Sequence, residues 1–138
     1  MEQLELLAKR FRDAIERIPP QQLPITLQSF PAGACGDATL LLGHYLKAQG
    51  LGPFDYVLGE RQDHSHAWLQ QGEVIIDITA DQFPEVDEAV IVTATPTWHH
   101  EFTSEVLHEA DFTISDTHTV AMLGAAYHRV MQHLEVPA

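Results

Sequence analysis

The 138-residue sequence has one cysteine, Cys35, so no intramolecular disulfide is open to it. A lone cysteine fits a reducing interior. Cations are scarce as well: Lys and Arg number 7 against 20 Asp and Glu, a formal net charge of −13 with histidine neutral. That field opposes nucleic acid and anionic membrane surfaces as partners. Glycine and proline, eight each, are too few for a collagen-like or disordered chain. No run of about 18 apolar residues occurs, which leaves no membrane-spanning helix to expect. The first twenty residues carry acids where a secretory signal carries cations, and they lack its apolar stretch. The expected location is therefore cytoplasmic. G-x-x-x-x-G-K-[ST], G-x-G-x-x-G and G-x-S-x-G are all missing, so phosphate-loop, dinucleotide and serine-hydrolase chemistry have no footing. No cofactor is expected.

What is present reads as one domain over residues 1–138, with 45% hydrophobic and 20% charged residues. Leu4, Leu7, Ala8, Phe11, Ala14, Ile15 and Ile18 recur at helical spacing, and Pro19-Pro20 ends that helix. A second helix is expected from Ala34 or Cys35 to Gln49, with Leu41, Leu42, Tyr45 and Leu46 inward. Strands are expected at Phe54–Glu60, Ser65–Gln70, Glu73–Thr79 and Ala89–Ala94, with more strand around Trp98–Phe102 followed by irregular chain. A last helix spans about Thr119–Leu134, capped by Asp116 or Thr117. Helices and a strand meander that segregate along the chain mean α+β, with an antiparallel sheet.

Three segments bear chemistry. Pro31 and Gly33 force a loop just before Cys35, which then opens the second helix. The helix dipole and free N–H groups there favour thiolate over thiol, although a free cysteine is also a common buried residue. In Asp63-His64-Ser65-His66-Ala67-Trp68, strand alternation sends His64, His66 and Trp68 to one face. Asp77 interrupts the apolar strand Val74–Ile78, where a carboxylate needs a partner or a turn N–H. A hairpin centred on Gln71-Gly72 sets His66 opposite Asp77, with Cβ atoms about 4.5–5.5 Å apart. That makes Cys35 a candidate nucleophile, His66 its base and Asp77 the group orienting His66. Zinc at His64-x-His66 with Asp63 or Asp77, or at His99-His100, lacks a third ligand at a recognised spacing, and no metal site is expected.

The segments Gly33-Ala34-Cys35-Gly36-Asp37 and Ser65-His66-Ala67-Trp68 through Asp77-Ile78-Thr79 resemble the transglutaminase-like branch of the papain-like cysteine fold. The resemblance covers about residues 28–83. It implies a nucleophile helix packed on a small antiparallel sheet with flanking helices, and a Cys-His-Asp triad of Cys35, His66 and Asp77. It implies a cysteine-dependent amide hydrolase or acyltransferase (peptidase, deamidase or transglutaminase-type) working through a thioester on protein or peptide substrates. The papain-like habit of placing a Gln before the cysteine makes Gln28 the oxyanion-hole candidate beside the Cys35 N–H. The rival expectation is a non-catalytic protein-binding or adaptor domain keeping the fold, for which Trp98, Phe102 and Phe112 would be exposed contact residues. Asp81, beyond the strand, is expected to tolerate replacement by asparagine and so to serve as the control for Asp77.

Overall fold

A computed structural model describes residues 1–135; positions 136–138 of the expected domain lie outside the described residues. The chain is α+β, and its described residues form three α-helices and a five-stranded antiparallel open sheet. Helix α1 spans Glu2–Arg17 and buries Ala8, Phe11, Ala14 and Ile15. It stops where Ile18 takes an extended conformation ahead of Pro19, as the residue before a proline is pushed to do. Helix α2, Cys35–Ala48, is apolar on most sides because it lies between the sheet and the other helices. Gly43 lets it approach the chain at Ala110, whose carbonyl oxygen would stand 2.1 Å from an added Cβ. Helix α3, Thr117–Glu135, packs on α1. Asp116 accepts from the Thr119 N–H at 3.0 Å, which makes it the N-cap. No helix among the described residues is long and apolar enough to cross a membrane.

The strands are β1 (Asp55–Arg61), β2 (His64–Gln71), β3 (Val74–Asp77), β4 (Ile91–Thr93) and β5 (Thr103–Glu109), in sheet order β4-β3-β2-β1-β5. Gln62 and Asp63, both at positive φ, turn β1 into β2, the geometry a type I′ hairpin requires. One face of the sheet, through Tyr56, Leu69 and Ile76, joins the main core with the helices. The other face carries a smaller cluster of Val57, Trp68, Ile75 and Phe102, covered by Phe83 and Trp98.

Two sequence expectations change here. Trp98–Phe102 is not strand: His99–Glu101 forms a 3₁₀ turn and the fifth strand follows at Thr103. A turn gathers Trp98, His99 and Phe102 against Trp68, whereas a strand would send neighbours to opposite faces. Phe102 and Phe112 are also buried and Trp98 is half-buried, so these aromatics are core packing rather than an exposed contact set.

Candidate active site

The hairpin that carries the site turns one residue later than its sequence suggests. Gln71 pairs with Val74 and Leu69 with Ile76, so Gly72 and Glu73 form the turn. Gly72 has φ +60°, and a two-residue turn with glycine first is type II′. Continuing that register sets Asp77 beside Trp68, two positions from His66. A two-residue displacement keeps side chains on the same face, and His66 and Asp77 still meet diagonally. The His66 Nε2–H donates to Asp77 Oδ2 at 2.6 Å, with both side chains buried.

Asp77 is bound on every side. Its Oδ1 accepts the Thr79 N–H at 2.9 Å, and its Oδ2 also accepts His99 Nε2–H at 2.7 Å. Burial opposes its charge, yet the hydrogen bonds and fields of His66 and His99 hold the carboxyl well below the usual carboxylate range. His66 is likewise opposed by burial, but Asp77 and then Cys35 push it up to about 9. Phe83, Trp98 and Trp68 stand with ring centroids 5.1, 5.7 and 5.9 Å from that of His66. Arg61, paired with Glu85 and Glu101, lies over Phe83, Trp98 and Phe102 and closes this shell. The Asp77–His66 bond is thus kept from water, where it is electrostatically strongest.

Cys35 is the first residue of α2, and no side chain caps that end. Strand β3 pairs with β2 only at Leu69–Gln71 and leaves the sheet after Asp77. The edge of β2 at His66–Ala67 is therefore open on that side, and the half-buried Cys35 thiol meets the His66 ring and the Ala67 N–H there. Burial raises the thiol, but His66 and the Ala67 N–H outweigh it and leave Cys35 below its ordinary value. Since Nε2 of His66 serves Asp77, Nδ1 is the nitrogen left to the sulfur. The Tyr56 hydroxyl borders the same place, 3.0 Å from where a Cβ on Gly36 would sit.

Gln28 is not brought to this group. It is exposed and its amide donates to Leu23 O at 3.0 Å. The glutamine at the site is Gln82, whose Nε2 lies 3.4 Å from His66 Nδ1 and donates to Thr79 O at 3.0 Å. Its Oε1 accepts the Gly33 N–H at 3.4 Å. Gln82 and the role of His99 leave no mark in the sequence, because both residues sit on 3₁₀ turns without periodicity.

Asp81 has a partner of its own. Arg12, buried on α1, grips both its oxygens at 2.6 and 2.9 Å and adds Ile78 O and Ala89 O. This clamp fixes the turn Ala80–Gln82 behind the site. Asp81→Ala removes one of the two carboxylates on the buried guanidinium, leaving Glu16 at 2.7 Å and the two carbonyls, and is expected to cost about 1–3 kcal/mol in chemical denaturation. A variant as stable as the parent would show that the clamp holds nothing.

His66, Asp77 and His99 are the one group among the described residues whose donor atoms gather as metal ligands would. Both imidazole nitrogens lie 2.6–2.7 Å from Asp77 Oδ2, whereas ligands at 2.0–2.1 Å from zinc stand about 3 Å or more from one another. The trio has hydrogen-bond spacing. His64 and His100 are exposed and lie outside it. Comparison of the chain with family models, with curated proteins and with solved structures finds no match.

Proposed function

We propose that this protein is a cysteine-dependent amide hydrolase or acyltransferase built on a papain-like, transglutaminase-like core. The observation that carries the reading is the buried Asp77–His66 bond of 2.6 Å behind a thiol at a helix N-terminus. His66 Nδ1 takes the Cys35 proton, and the thiolate sulfur bonds to the carbonyl carbon of a protein or peptide amide. The Cys35 N–H serves the oxyanion that forms, and the Gln82 amide and the Tyr56 hydroxyl, both beside the site, are the side-chain donors in place of Gln28. As the C–N bond breaks, the imidazolium returns its proton to the leaving amine and a thioester remains. Water or an amine then attacks the thioester carbon, giving up a proton to His66; the C–S bond breaks, Cys35 leaves as the thiolate, and the acid or the new amide is released.

The test is alkylation of Cys35 by iodoacetamide, followed by mass spectrometry of the folded protein. At pH 6 an ordinary thiol is about 99% protonated and nearly inert. Cys35 is expected to alkylate at pH 6 at least about 10-fold faster than a free thiol of ordinary pKa. Reaction only after unfolding would overturn the reading and favour the non-catalytic binding domain.

A further inference from the structure

We propose that His99 is a positioning residue of this site: through the Asp77 oxygen it shares with His66, it fixes the carboxylate and moderates its pull on the His66 proton. The proposal rests on the reading of Cys35 and His66 as the reacting pair. The geometry behind it is specific. Asp77 Oδ2 accepts two ring N–H groups, at 2.6 Å from His66 and 2.7 Å from His99, while Oδ1 is held by Thr79. All three side chains are buried. An ionised carboxylate only accepts, so both imidazoles must carry their proton on Nε2. For His66 this leaves Nδ1, the nitrogen toward Cys35, to take and hold the thiol's proton. His99 is held in turn by edge contacts with Trp68 and Trp98, at centroid distances of 4.8 and 4.9 Å.

A carboxylate satisfied by two more donors presents less negative potential to the third. With His99 in place, His66 is basic enough to take the Cys35 proton and still acid enough to give it to a leaving amine. The other groups acting on the pair are accounted for. Asp77 comes from β3 and Cys35 from α2; Tyr56 of β1 borders the sulfur; Arg61 of β1 lies outside the aromatic shell; Gln82 is neutral. The His99 ring stands 6.5 Å from that of His66, centroid to centroid, and the hydrogen-bonded link between them is Asp77.

His99→Phe keeps an aromatic ring for Trp68 and Trp98 and removes the donor. It is expected to move the midpoint of Cys35 alkylation by iodoacetamide about 0.5–1 pH unit lower, because the unshared carboxylate stabilises the imidazolium and hence the thiolate. The His66 Nε2–H resonance, read by NMR on ¹⁵N-histidine-labelled protein, should move further downfield. His99→Gln, which returns an N–H donor, should bring the midpoint back toward the parent. A midpoint in folded His99→Phe that stays or rises overturns the proposal. So does a parent spectrum lacking a hydrogen-bonded His99 Nε2–H, a measurement that needs no variant to fold. If the parent thiol itself is inert at pH 6, the proposed function fails while the spectrum still tests the shared oxygen.

Discussion

His66→Ala is expected to slow alkylation of Cys35 at pH 6 by about 100-fold or more, with parent and variant converging above about pH 9. Two opposing influences act on the sulfur. Its half-buried position raises the thiol, and His66 with the Ala67 N–H lowers it by more. Removing the imidazole leaves burial with only the backbone N–H against it, so the thiol returns to or above the ordinary cysteine range. A thiol of pKa near 8.5 is then about 0.3% ionised at pH 6. The sign follows from the pair itself: His66 stands at about 9, above its ordinary value, so the imidazolium form persists across neutral pH. The parent profile should fall on the acid side as the thiolate is protonated, and it reports the pair rather than either group alone. Circular dichroism guards the comparison, since His66 is buried among aromatic rings. A variant that alkylates like the parent at pH 6 would assign the activation to the helix terminus alone.

The parts of this structure that were legible in the sequence are those with a period. The stripe Leu4–Ile18, the apolar positions of α2 and the alternation around His66–Trp68 each mark an element within a residue or two of its observed bounds. Cys35 at the helix start needed only Pro31 and Gly33 upstream. Strand β5 was not legible, since its side chains from Thr103 to His108 are all exposed and an edge strand without a buried face writes no alternation. Glycine at position 72 fits the first place of a type II′ turn as well as the second place of another, and only the ladder decides. Arg12 reads as the polar flank of an amphipathic helix, yet it is buried because Asp81 and two carbonyls wait 66–77 residues away. A shorter separation hides His99, whose partner Asp77 lies 22 residues earlier.

Asp77→Asn is the substitution that separates an orienting carboxylate from a tolerated one. The carboxylate accepts from His66 and His99 on Oδ2 and from Thr79 on Oδ1. Asparagine has one acceptor oxygen and one donor NH₂ for the same three donors. With its oxygen toward Thr79, the NH₂ faces two ring N–H groups, and His66 is satisfied only by moving its proton to Nδ1. That nitrogen then cannot accept from Cys35. With its oxygen toward the rings, the NH₂ confronts the Thr79 N–H, and a buried donor is left unpaired at a cost of about 1–3 kcal/mol. The negative charge that holds His66 up to about 9 is lost in both cases. In a Ser-His-Asp triad the same change lowers turnover about 10⁴-fold with geometry intact; a thiol, being more acidic, needs its base less. Acylation of Cys35 by p-nitrophenyl acetate, followed as the nitrophenolate burst, is therefore expected to fall at least about 100-fold at neutral pH. Chemical denaturation should show a loss of no more than about 3 kcal/mol, so the folded variant can be assayed. Recovery of the rate at high pH, where the thiol ionises without help, would place the defect in the proton relay. A folded variant that acylates as fast as the parent at pH 7 would remove Asp77, and His99 with it, from the chemistry.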